Sequence, residues 1–328
     1  MDINSVDPAD AGTCAALVEL QNAASKVDAP WQHPVTLAGK TATLRHGWDG
    51  EPPYPYALRV DGRVLAAGEI WASEWDNKHL AWLELEVHPD ARRRGLGSAL
   101  WDFLVEQARQ RGRTSVGADG WDLPAVHAFA ARHGLQQKSA AINRRQHVEA
   151  SERSVYEGLR AEARPHAAAY ELLHVAGPVP DELRDAVAQA AAAINDAPTD
   201  DLDIEDEVFT AGRLTGYEQA QLAHGHRWYR VIARHRETGD LAGQTVVVVE
   251  GERPHIGHQH DTSVVAAHRG HRLGTLLKAD MLCWLTEVEP ALRTVDTWNA
   301  ESNAHMIAVN ERLGYRVLGR GIQFQRSL

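Results

Sequence analysis

Four side chains that can accept a proton stand in polar runs just ahead of glycine-containing turns. Glu84 and Glu86 alternate with apolar residues in WLELEV, and His260 and Asp261 lie in HQHDTSVV. Alternate residues of a strand face the same side of a sheet, so the two glutamates share one face. A carboxylate or imidazole in such a place can act as a general base toward an amine. The sequence predicts one base in each run, and a solvated polar strand face is the alternative interpretation of any single one of them.

Each polar run leads into a short turn that combines arginine with glycine and precedes an apolar helical stripe. The first turn, Arg92 to Gly97, reads RRRGLG, and the second, Arg269 to Gly274, reads RGHRLG. Backbone N–H groups converge on an anion at a helix N-terminus, and glycine lets the anion approach closely. Neither a complete dinucleotide-binding fingerprint nor a GxxxxGK[ST] loop occurs. The turns therefore predict a pyrophosphate site outside the nicotinamide and nucleoside-triphosphate classes.

The two runs and turns belong to an internal repeat of domain length, in which Glu84 and Asp261 are equivalent positions 177 residues apart. Strand alternation, apolar helical stripes and helix-ending glycines predict the order β-α-α-β-β-β-α-β-α-β for each copy. The predicted fold class is α/β with a mixed sheet, in two tandem domains at 1–150 and 166–328. The charged stretch 151–165 lacks a strong apolar face, so it is predicted to be a helical connector.

The first copy resembles motif A of the GNAT (Gcn5-related N-acetyltransferase) superfamily, because VHPDARRRGLG follows the pattern V-x-P-x-x-R-R-x-G-L-G. The repeat makes the whole chain similar in arrangement to two-domain actinobacterial acetyltransferases. The resemblance implies two tandem GNAT acyltransferase domains, acetyl-coenzyme A as co-substrate and no metal. In the superfamily the loop cradles the coenzyme A pyrophosphate, and the strand before it pairs its backbone with the pantetheine arm.

The resemblance also carries over to particular positions. For the first copy it implies cofactor contacts by Leu85, Glu86, Val87, Arg92, Arg93, Arg94, Gly95, Leu96, Gly97 and Ser98. For the second copy it implies contacts by Val264, Val265, Arg269, Gly270, His271, Arg272, Leu273, Gly274 and Thr275. The later run TWNAESNAHMIAVNERLGY resembles the acceptor side of the family's site. It implies that Asn299 and Asn303 hydrogen-bond the pantetheine or the acceptor, with helix capping as the alternative role.

Both copies depart from the family pattern. Arg272 occupies the position of the first motif glycine, which indicates either a degenerate loop or an added cation for the phosphates. The downstream run that resembles the acceptor side of the site follows the family pattern well, which favours a second loop that still binds the cofactor. Ala130 and Asn310 replace the tyrosine that serves the leaving thiolate in the family, so a water, another hydroxyl or no acid at all would serve it. The first copy thus keeps the better phosphate loop, and the second keeps the better acceptor-side helix.

Together with the resemblance, these residues predict an acetyl-coenzyme A dependent N-acetyltransferase of a small amine, either a metabolite or an antibiotic-like compound. The second copy is favoured as the working site, with Asp261 or His260 taking the amine proton directly or through water. The reverse assignment, with Glu84 or Glu86 as base in the first copy, stays open. A non-catalytic acyl-coenzyme A sensor or assembly module is the alternative, because the tyrosine is missing from both copies.

The amino-acid composition limits the binding partners, the location and the kinds of site that are expected. A formal charge of −11 disfavours nucleic acid and anionic membranes. No apolar run is long enough for a membrane span, and the N-terminus lacks a secretory signal, so a cytoplasmic location is predicted. Cys14 and Cys283 allow neither a disulfide framework nor a cysteine metal site, and His258 with His260 predicts a polar pocket without metal. The expected assembly is a monomer or a homodimer.

Overall fold

The computed structural model describes two compact units, formed from residues 1–148 and 153–328. Unit 1 consists of residues 1–141, 199–206 and 319–328. Unit 2 consists of residues 142–198 and 207–318. Both units combine helices with a mixed sheet, so the predicted fold class is confirmed. No helix within these residues has the length and apolar character that crossing a lipid bilayer requires.

Unit 1 follows the element order predicted for one copy. Its helices are α1 (Ala11–Asp28), α2 (Leu37–His46), α3 (Leu96–Gln110) and α4 (Pro124–Arg132). Its strands are β1 (Asp2–Ser5), β2 (Tyr54–Val60), β3 (Arg63–Trp71), β4 (Leu80–Val87), β5 (Ser115–Trp121) and the start of β6 (Gln136–His147). The sheet order is β1-β2-β3-β4-β5 with β12 at the end, and only the β4–β5 pair among these described strands is parallel. Apolar residues of α3, including Leu100 and Leu104, are fully buried with those of β4, which fixes the loop between them.

Unit 2 repeats this order after one additional helix. Its helices are α5 (Arg153–Ala163), α6 (Asp181–Ala191), α7 (Ala211–Ala223), α8 (Leu273–Val288) and α9 (Ala304–Arg312). Its strands are the end of β6, β7 (Tyr170–Ala176), β8 (Arg227–His235), β9 (Leu241–Val249), β10 (Ile256–Val264), β11 (Thr294–Ala300) and the start of β12 (Arg316–Ser327). The sheet order is β6-β11-β10-β9-β8-β7, with β10 and β11 parallel. Helix α8 is buried on nearly all sides and forms the centre of the core of unit 2.

The edge strands depart from the predicted domain ranges. Residues 321–327 of β12 pair antiparallel with β5 and complete the sheet of unit 1, although they end the second copy in sequence. Residues 142–147 of β6, which end the first copy, belong to unit 2. The predicted ranges 1–150 and 166–328 assumed that each copy closes its own sheet. The repeat identifies the copies, but it carries no information on which strand completes which sheet.

The predicted connector, residues 151–165, begins within residues 149–152, which lie outside the described residues, as does the predicted boundary at residue 150. The following residues form α5, which belongs to unit 2. Tyr156, Leu159 and Ala163 of this helix are buried in the same apolar cluster as α8. Their spacing of three and four residues is that of an apolar helix face. The interpretation of residues 153–163 as a connector without such a face is therefore corrected.

In each unit the parallel strand pair separates after three residues. Strand β4 pairs with β5 only from Leu80 to Trp82, and β10 pairs with β11 only from Ile256 to His258. Beyond these points, each pair encloses a gap that opens toward the turn and helix that follow the first strand. The gap is where the strand backbone becomes available to a ligand.

Strand β10 differs from β4 by a bulge. Strand β4 pairs with β3 in one unbroken register from Trp82 to Val87. The register of β10 on β9 shifts instead between Gln259 and Thr262, so that two residues, 260 and 261, lie opposite Val246. A bulge leaves one residue outside the ladder and redirects the backbone, and bulges are common beside active sites.

Candidate active site

The two phosphate loops have the same backbone shape. Arg93 and Gly95 have φ angles of 63° and 83°, and the equivalent Gly270 and Arg272 have φ angles of 84° and 54°. A left-handed conformation costs a non-glycine residue about 1–2 kcal/mol. Each loop therefore holds one arginine in a conformation that favours glycine, and the exchange of arginine and glycine between the loops leaves the path of the backbone unchanged.

The first arginine of each loop is bound to protein. Arg92 Nε and Arg269 Nε each donate to the carbonyl oxygen of the last residue of the preceding strand, at 3.1 Å in both units. The Arg92 guanidinium also donates to both carboxylate oxygens of Asp28, at 2.8 and 2.6 Å, and that of Arg269 binds Asp196. These two arginines, predicted to contact the cofactor, therefore tie each loop to its strand and to a neighbouring helical segment.

The other charged loop residues face outward. Arg272 donates to Glu162 of α5 at 2.6 Å, so its guanidinium would have to leave this carboxylate to become the additional phosphate cation considered from the sequence. Arg93 is exposed, and Arg94 donates to the carbonyl oxygen of Asp90 at 2.8 Å. The ring nitrogen Nδ1 of His271 lies 3.3 Å from a carbonyl oxygen before β7. Phosphate binding in either loop would thus fall mainly to backbone N–H groups.

The space beside the second glycine of the loop differs between the units. A Cβ atom added at Gly97 would lie 3.3 Å from a methyl carbon of Val87 and 3.5 Å from the ring of Phe129. A Cβ atom added at Gly274 would meet no neighbouring atom within 4 Å. Packing alone therefore accounts for a glycine in unit 1, whereas in unit 2 the glycine borders open space.

Several of the predicted cofactor contacts are side chains of the two apolar cores. These residues are Leu85, Val87, Leu96, Val264 and Leu273. Their polar contacts with a ligand would have to come from the backbone. The N–H group of Val265 already donates to the carbonyl oxygen of Ala242 at 2.9 Å. At the loop itself, Ser98 Oγ lies 3.1 Å from His133 Nε2, and the equivalent Thr275 is partly exposed.

In unit 1 the structure brings Glu84 and Glu86 into an acidic cluster. Glu69 of β3 lies directly opposite Glu84 in the sheet, and Lys40 of α2 forms an ion pair with Glu69. Burial disfavours the charge of Lys40, but Glu69, Glu84 and Glu86 together outweigh burial and raise the pKa of the lysine. Neither Lys40 nor Glu69 was singled out from the sequence, because each lies far from the motif and only the fold brings them to β4.

The two glutamates of β4 have proton affinities near the neutral range. Burial raises the pKa of Glu84 to about 8, and repulsion by Glu69 and Asp119 adds to the effect. Burial raises the pKa of Glu86 to about 7 against the attraction of Lys40. Glu84 is exposed to solvent although protein atoms surround it closely. A carboxylate of this kind suits proton transfer at neutral pH.

In unit 2 the bulge places His260 and Asp261 among aromatic and cationic groups. The hydroxyl of Tyr217 on α7 is hydrogen-bonded to His260 Nδ1. The Trp228 ring on β8 packs edge-on against the rings of Tyr217 and His260, with centroid distances of 4.6 and 5.5 Å. Arg230, also on β8, is 1% exposed. Tyr217 and Arg230 lie outside both motifs, so no sequence signal singled them out.

The proton affinities of the two bulge residues are shifted in opposite directions. Burial lowers the pKa of His260 well below its usual range, and the nearby Arg230 guanidinium acts in the same direction. The imidazole is therefore neutral at pH 7. Burial raises the pKa of Asp261, and the attraction of Arg230 opposes this effect. A neutral imidazole and a carboxylate with raised proton affinity thus stand side by side at the gap between β10 and β11.

The two predicted asparagines have different roles in the structure. Asn303 caps α9, since its Oδ1 accepts from the N–H group of Met306 at 3.1 Å, which is the alternative role stated from the sequence. Asn299 on β11 accepts a hydrogen bond of 2.6 Å from Asn310 Nδ2. Asn310 is fully buried and takes the place of the family's tyrosine. This pair fixes the end of β11 to α9 beside the gap.

Nothing in residues 1–148 and 153–328 assembles three or more histidine, cysteine or acidic side chains for a metal. His258 lies 2.9 Å from Glu250 through its Nε2 atom instead. Although burial acts to raise it, hydrogen bonds from His258 and Arg253 lower the pKa of Glu250 to about 2. His258 is thus held in a polar contact at the wall of the site.

Comparison with known proteins agrees with this geometry. The sequence profile of the Acetyltransferase (GNAT) family matches residues 17–135. Mycothiol acetyltransferase from Geodermatophilus obscurus is 30% identical over 147 residues, which cover 45% of this chain and 44% of that enzyme. The match thus spans less than half the length of this curated relative.

Solved structures extend the similarity to the whole chain. A tandem GNAT protein from the clavulanic acid biosynthesis pathway, determined without AcCoA, superposes with a TM-score of 0.78 and 28% identity, covering 99% of this chain and 98% of that one. A GCN5-related N-acetyltransferase from Sphaerobacter thermophilus shares the fold, with a TM-score of 0.70 and 16% identity, covering 99% and 95% of the two chains. Residues 17–135 therefore match the GNAT family, and the whole chain is similar in fold to a tandem GNAT protein.

Proposed function

We propose that unit 2 transfers the acetyl group of acetyl-coenzyme A to the nitrogen of a small cationic amine. The observation that carries this proposal is the bulge at His260 and Asp261, which comes directly after the point where β10 and β11 part. Here the backbone leaves the ladder and two proton acceptors reach the edge of the gap. Unit 1 has the same gap without the bulge.

The loop of unit 2 supports cofactor binding at the other end of the gap. The first N–H groups of α8, at Leu273, Gly274 and Thr275, have no partners within the helix and attract phosphate oxygens. The open space beside Gly274 leaves room for an anion to approach. Asn299, held by Asn310, would meet the pantetheine arm from β11. Acetyl-coenzyme A is the co-substrate that this arrangement suits best.

The acetyl transfer itself needs a free amine and a polarised thioester. Asp261 or neutral His260 accepts one proton from the substrate ammonium group. The nitrogen then attacks the thioester carbon, a C–N bond forms, and the electron pair on the oxygen re-forms the carbonyl as the C–S bond breaks. The nitrogen loses its second proton, and the thiolate takes up a proton to leave as the coenzyme A thiol. An ammonium ion and a thioester thus give an amide, a thiol and one proton.

A small acceptor is supported by the relatives. One is named mycothiol acetyltransferase, and another belongs to the clavulanic acid pathway, so both names point to small molecules. The net charge of −11 and the Asp261 carboxylate also favour a cationic acceptor over an anionic one.

Matched variants of the third helix residue test the proposal. Thr275→Glu places a carboxylate among the N–H groups of α8, and Ser98→Glu does the same on α3. Coenzyme A thiol release is measured with a panel of primary amines, and acetyl-coenzyme A binding is measured by calorimetry. Loss of turnover with Thr275→Glu, together with retention in Ser98→Glu, is expected. The opposite result would contradict the proposal and assign the reaction to unit 1.

Unit 1 is the second candidate because of one observation, the Glu84 carboxyl whose pKa is raised by burial to about 8. A base of that proton affinity suits removal of an ammonium proton near neutral pH. A non-catalytic sensor is the third candidate. It would be supported if unit 2 bound acetyl-coenzyme A and no amine of the panel released its thiol.

A further inference from the structure

A partly buried glutamine holds the bulge of β10 from the side of the sheet that packs on α8. Gln259 directly precedes the bulge, and its Nε2 lies 2.7 Å from the carbonyl oxygen of Val246 and 3.2 Å from that of His260. Val246 is the residue opposite the bulge, and His260 is the first residue within it. One carboxamide thus bridges the two strands at the irregular point of their ladder.

The orientation of this carboxamide is fixed by a lysine. Lys278 of α8 lies 3.1 Å from Gln259 Oε1 and is 2% exposed. The ammonium form of lysine only donates hydrogen bonds, so it favours the oxygen end of the carboxamide and leaves the NH₂ end facing the strand carbonyls. Thr245 Oγ1, 3.0 Å from the same Nε2, completes the surroundings of the NH₂ group.

Burying the charged group of a lysine in this core is energetically unfavourable. Burial lowers the pKa of Lys278 to about 7, and its nitrogen lies 5.0 Å from the centre of the Tyr315 ring. Unit 1 has apolar residues at the equivalent places, Leu83 on the strand and Trp101 on the helix, and both are buried. The polar pair and the bulge are present together in unit 2, and both are missing from β4 and α3 of unit 1.

The peptide between His260 and Asp261 links this network to the reaction. In a trans peptide the C=O and N–H groups point in opposite directions. Because the His260 carbonyl oxygen is turned toward the Gln259 amide, the N–H group of Asp261 points away from that amide. This N–H belongs to the bulge, at the start of the gap between β10 and β11.

We propose that Gln259, oriented by Lys278, is a positioning residue that aims the Asp261 N–H group at the acyl oxygen of the coenzyme A thioester. The N–H group then stabilises the negative charge that develops on this oxygen during acetyl transfer. The inference rests on the proposed function of unit 2, because it assigns the donor that polarises the thioester there.

Three variants separate the parts of the network. Gln259→Glu retains an acceptor for Lys278 and replaces the donating NH₂ group by an oxygen that repels the strand carbonyls. Gln259→Met removes both polar ends at similar size, and Lys278→Met leaves the carboxamide without its orienting donor. Loss of one oxyanion donor lowers kcat by roughly 10²–10³-fold. We expect kcat to fall by about tenfold or more in both Gln259 variants and less in Lys278→Met, with the KM for acetyl-coenzyme A within about threefold of the parent, since the donor acts on the transition state.

The deciding experiment is isotope-edited infrared spectroscopy of acetyl-coenzyme A labelled with ¹³C at the acetyl carbonyl. It is bound to the full chain carrying Ser98→Glu, so that binding reports on unit 2. A carbonyl band at lower frequency than in solution is expected, because the N–H group polarises the bond. In Gln259→Met and Gln259→Glu the bound band should return toward the solution value, while the unfolding temperature shows that the chain is folded.

The outcomes are distinct. An unchanged low-frequency band in folded Gln259→Met would overturn the positioning role and leave the proposed function intact. A purely structural role would lower the unfolding temperature without moving the band, which also overturns the proposal. If Thr275→Glu leaves both binding and turnover unaffected, unit 2 is not the site of transfer, and the proposed function and this inference fall together.

Discussion

The two central strands, β4 and β10, carry the same kind of residues on different backbones. In β4, Glu84 lies opposite Glu69 in an unbroken ladder, and the carboxylates repel one another. In β10, the equivalent Asp261 lies in a bulge beside His260, supported by a glutamine and a lysine. Unit 1 has the phosphate loop closer to the family motif, and unit 2 has the strand better shaped for acyl transfer. The proposed function therefore lies in the unit whose phosphate loop is further from the family motif.

The largest expected effect concerns the carboxylates of these two strands. Asp261→Asn removes a proton acceptor without changing size, and general-base catalysis contributes roughly 10²–10⁴-fold to rate. We expect kcat with the best amine to fall within that range. Glu84→Gln is the matched change in unit 1 and should alter kcat by less than about threefold, an effect of under 1 kcal/mol.

Steady-state kinetics of thiol release measures both variants. A loss of kcat in Glu84→Gln alone would assign the catalytic base to β4 instead of β10. His260→Gln, measured in parallel, identifies which of the two bulge residues is the base, because the base shows the larger fall and an altered pH profile of kcat/KM.

The next effect is a difference in the pH dependence of stability. The pKa of Glu84 is raised by burial from 4.5 to about 8, so its contribution to stability is complete below 4.5 and is lost as the pH rises through 8. The pKa of Lys278 is lowered by burial from 10.5 to about 7, so its contribution is complete above 10.5 and is lost as the pH falls through 7. The contributions of Glu84 and Lys278 to stability thus change with pH in opposite directions.

Glu84→Gln should therefore raise the unfolding temperature more above pH 8 than below pH 5, and Lys278→Met should raise it more below pH 7 than at higher pH. Scanning calorimetry over this pH range measures both effects. Equal shifts at all pH values would show that neither group is perturbed by burial.

The smallest effect concerns the loops. Arg272→Gly relieves a left-handed conformation worth about 1–2 kcal/mol and loses an ion pair with Glu162 that is exposed and screened by solvent. We expect a gain in unfolding free energy of about 1 kcal/mol or less. Gly95→Ala should instead lose about 1 kcal/mol, because its φ of 83° disfavours a side chain even where space is open.

Denaturant unfolding measures both changes. A destabilised Arg272→Gly variant would mean that the ion pair with Glu162 contributes more than the backbone strain. The loops would then differ in more than the position of one arginine.

Much of the fold could be predicted from local patterns in the sequence. The spacing of glycine and apolar residues predicts the order of elements in both copies, because a left-handed turn and a helical stripe leave direct traces in sequence. The exchange of β6 and β12 left no such trace, since strands pair through backbone groups that are common to all residues. The burial of α5 was missed because Tyr156, Leu159 and Ala163 are spread among charged residues.

The site was predicted less completely than the fold. Alignment on the loops equates Asp261 with Glu84, 177 positions apart, but the ends of the parallel pairing, Trp82 and His258, are 176 apart. The additional residue between these points is the bulge, and only the pairing with β9 reveals it. Lys278 was not singled out from the sequence, because a single lysine beside an apolar helical stripe is usually exposed to solvent.

The strand that completes unit 1 comes from the far end of the chain. Residues 321–327 of β12 supply the partner of β5, so the sheet of unit 1 cannot be completed during synthesis until residues 1–320 have been made. Until then β5 presents an unpaired edge to which other chains can add. A protein cut after residue 148 would keep the whole GNAT motif and the glutamates of β4, yet it would leave the ribosome with this edge exposed, and we expect it to aggregate.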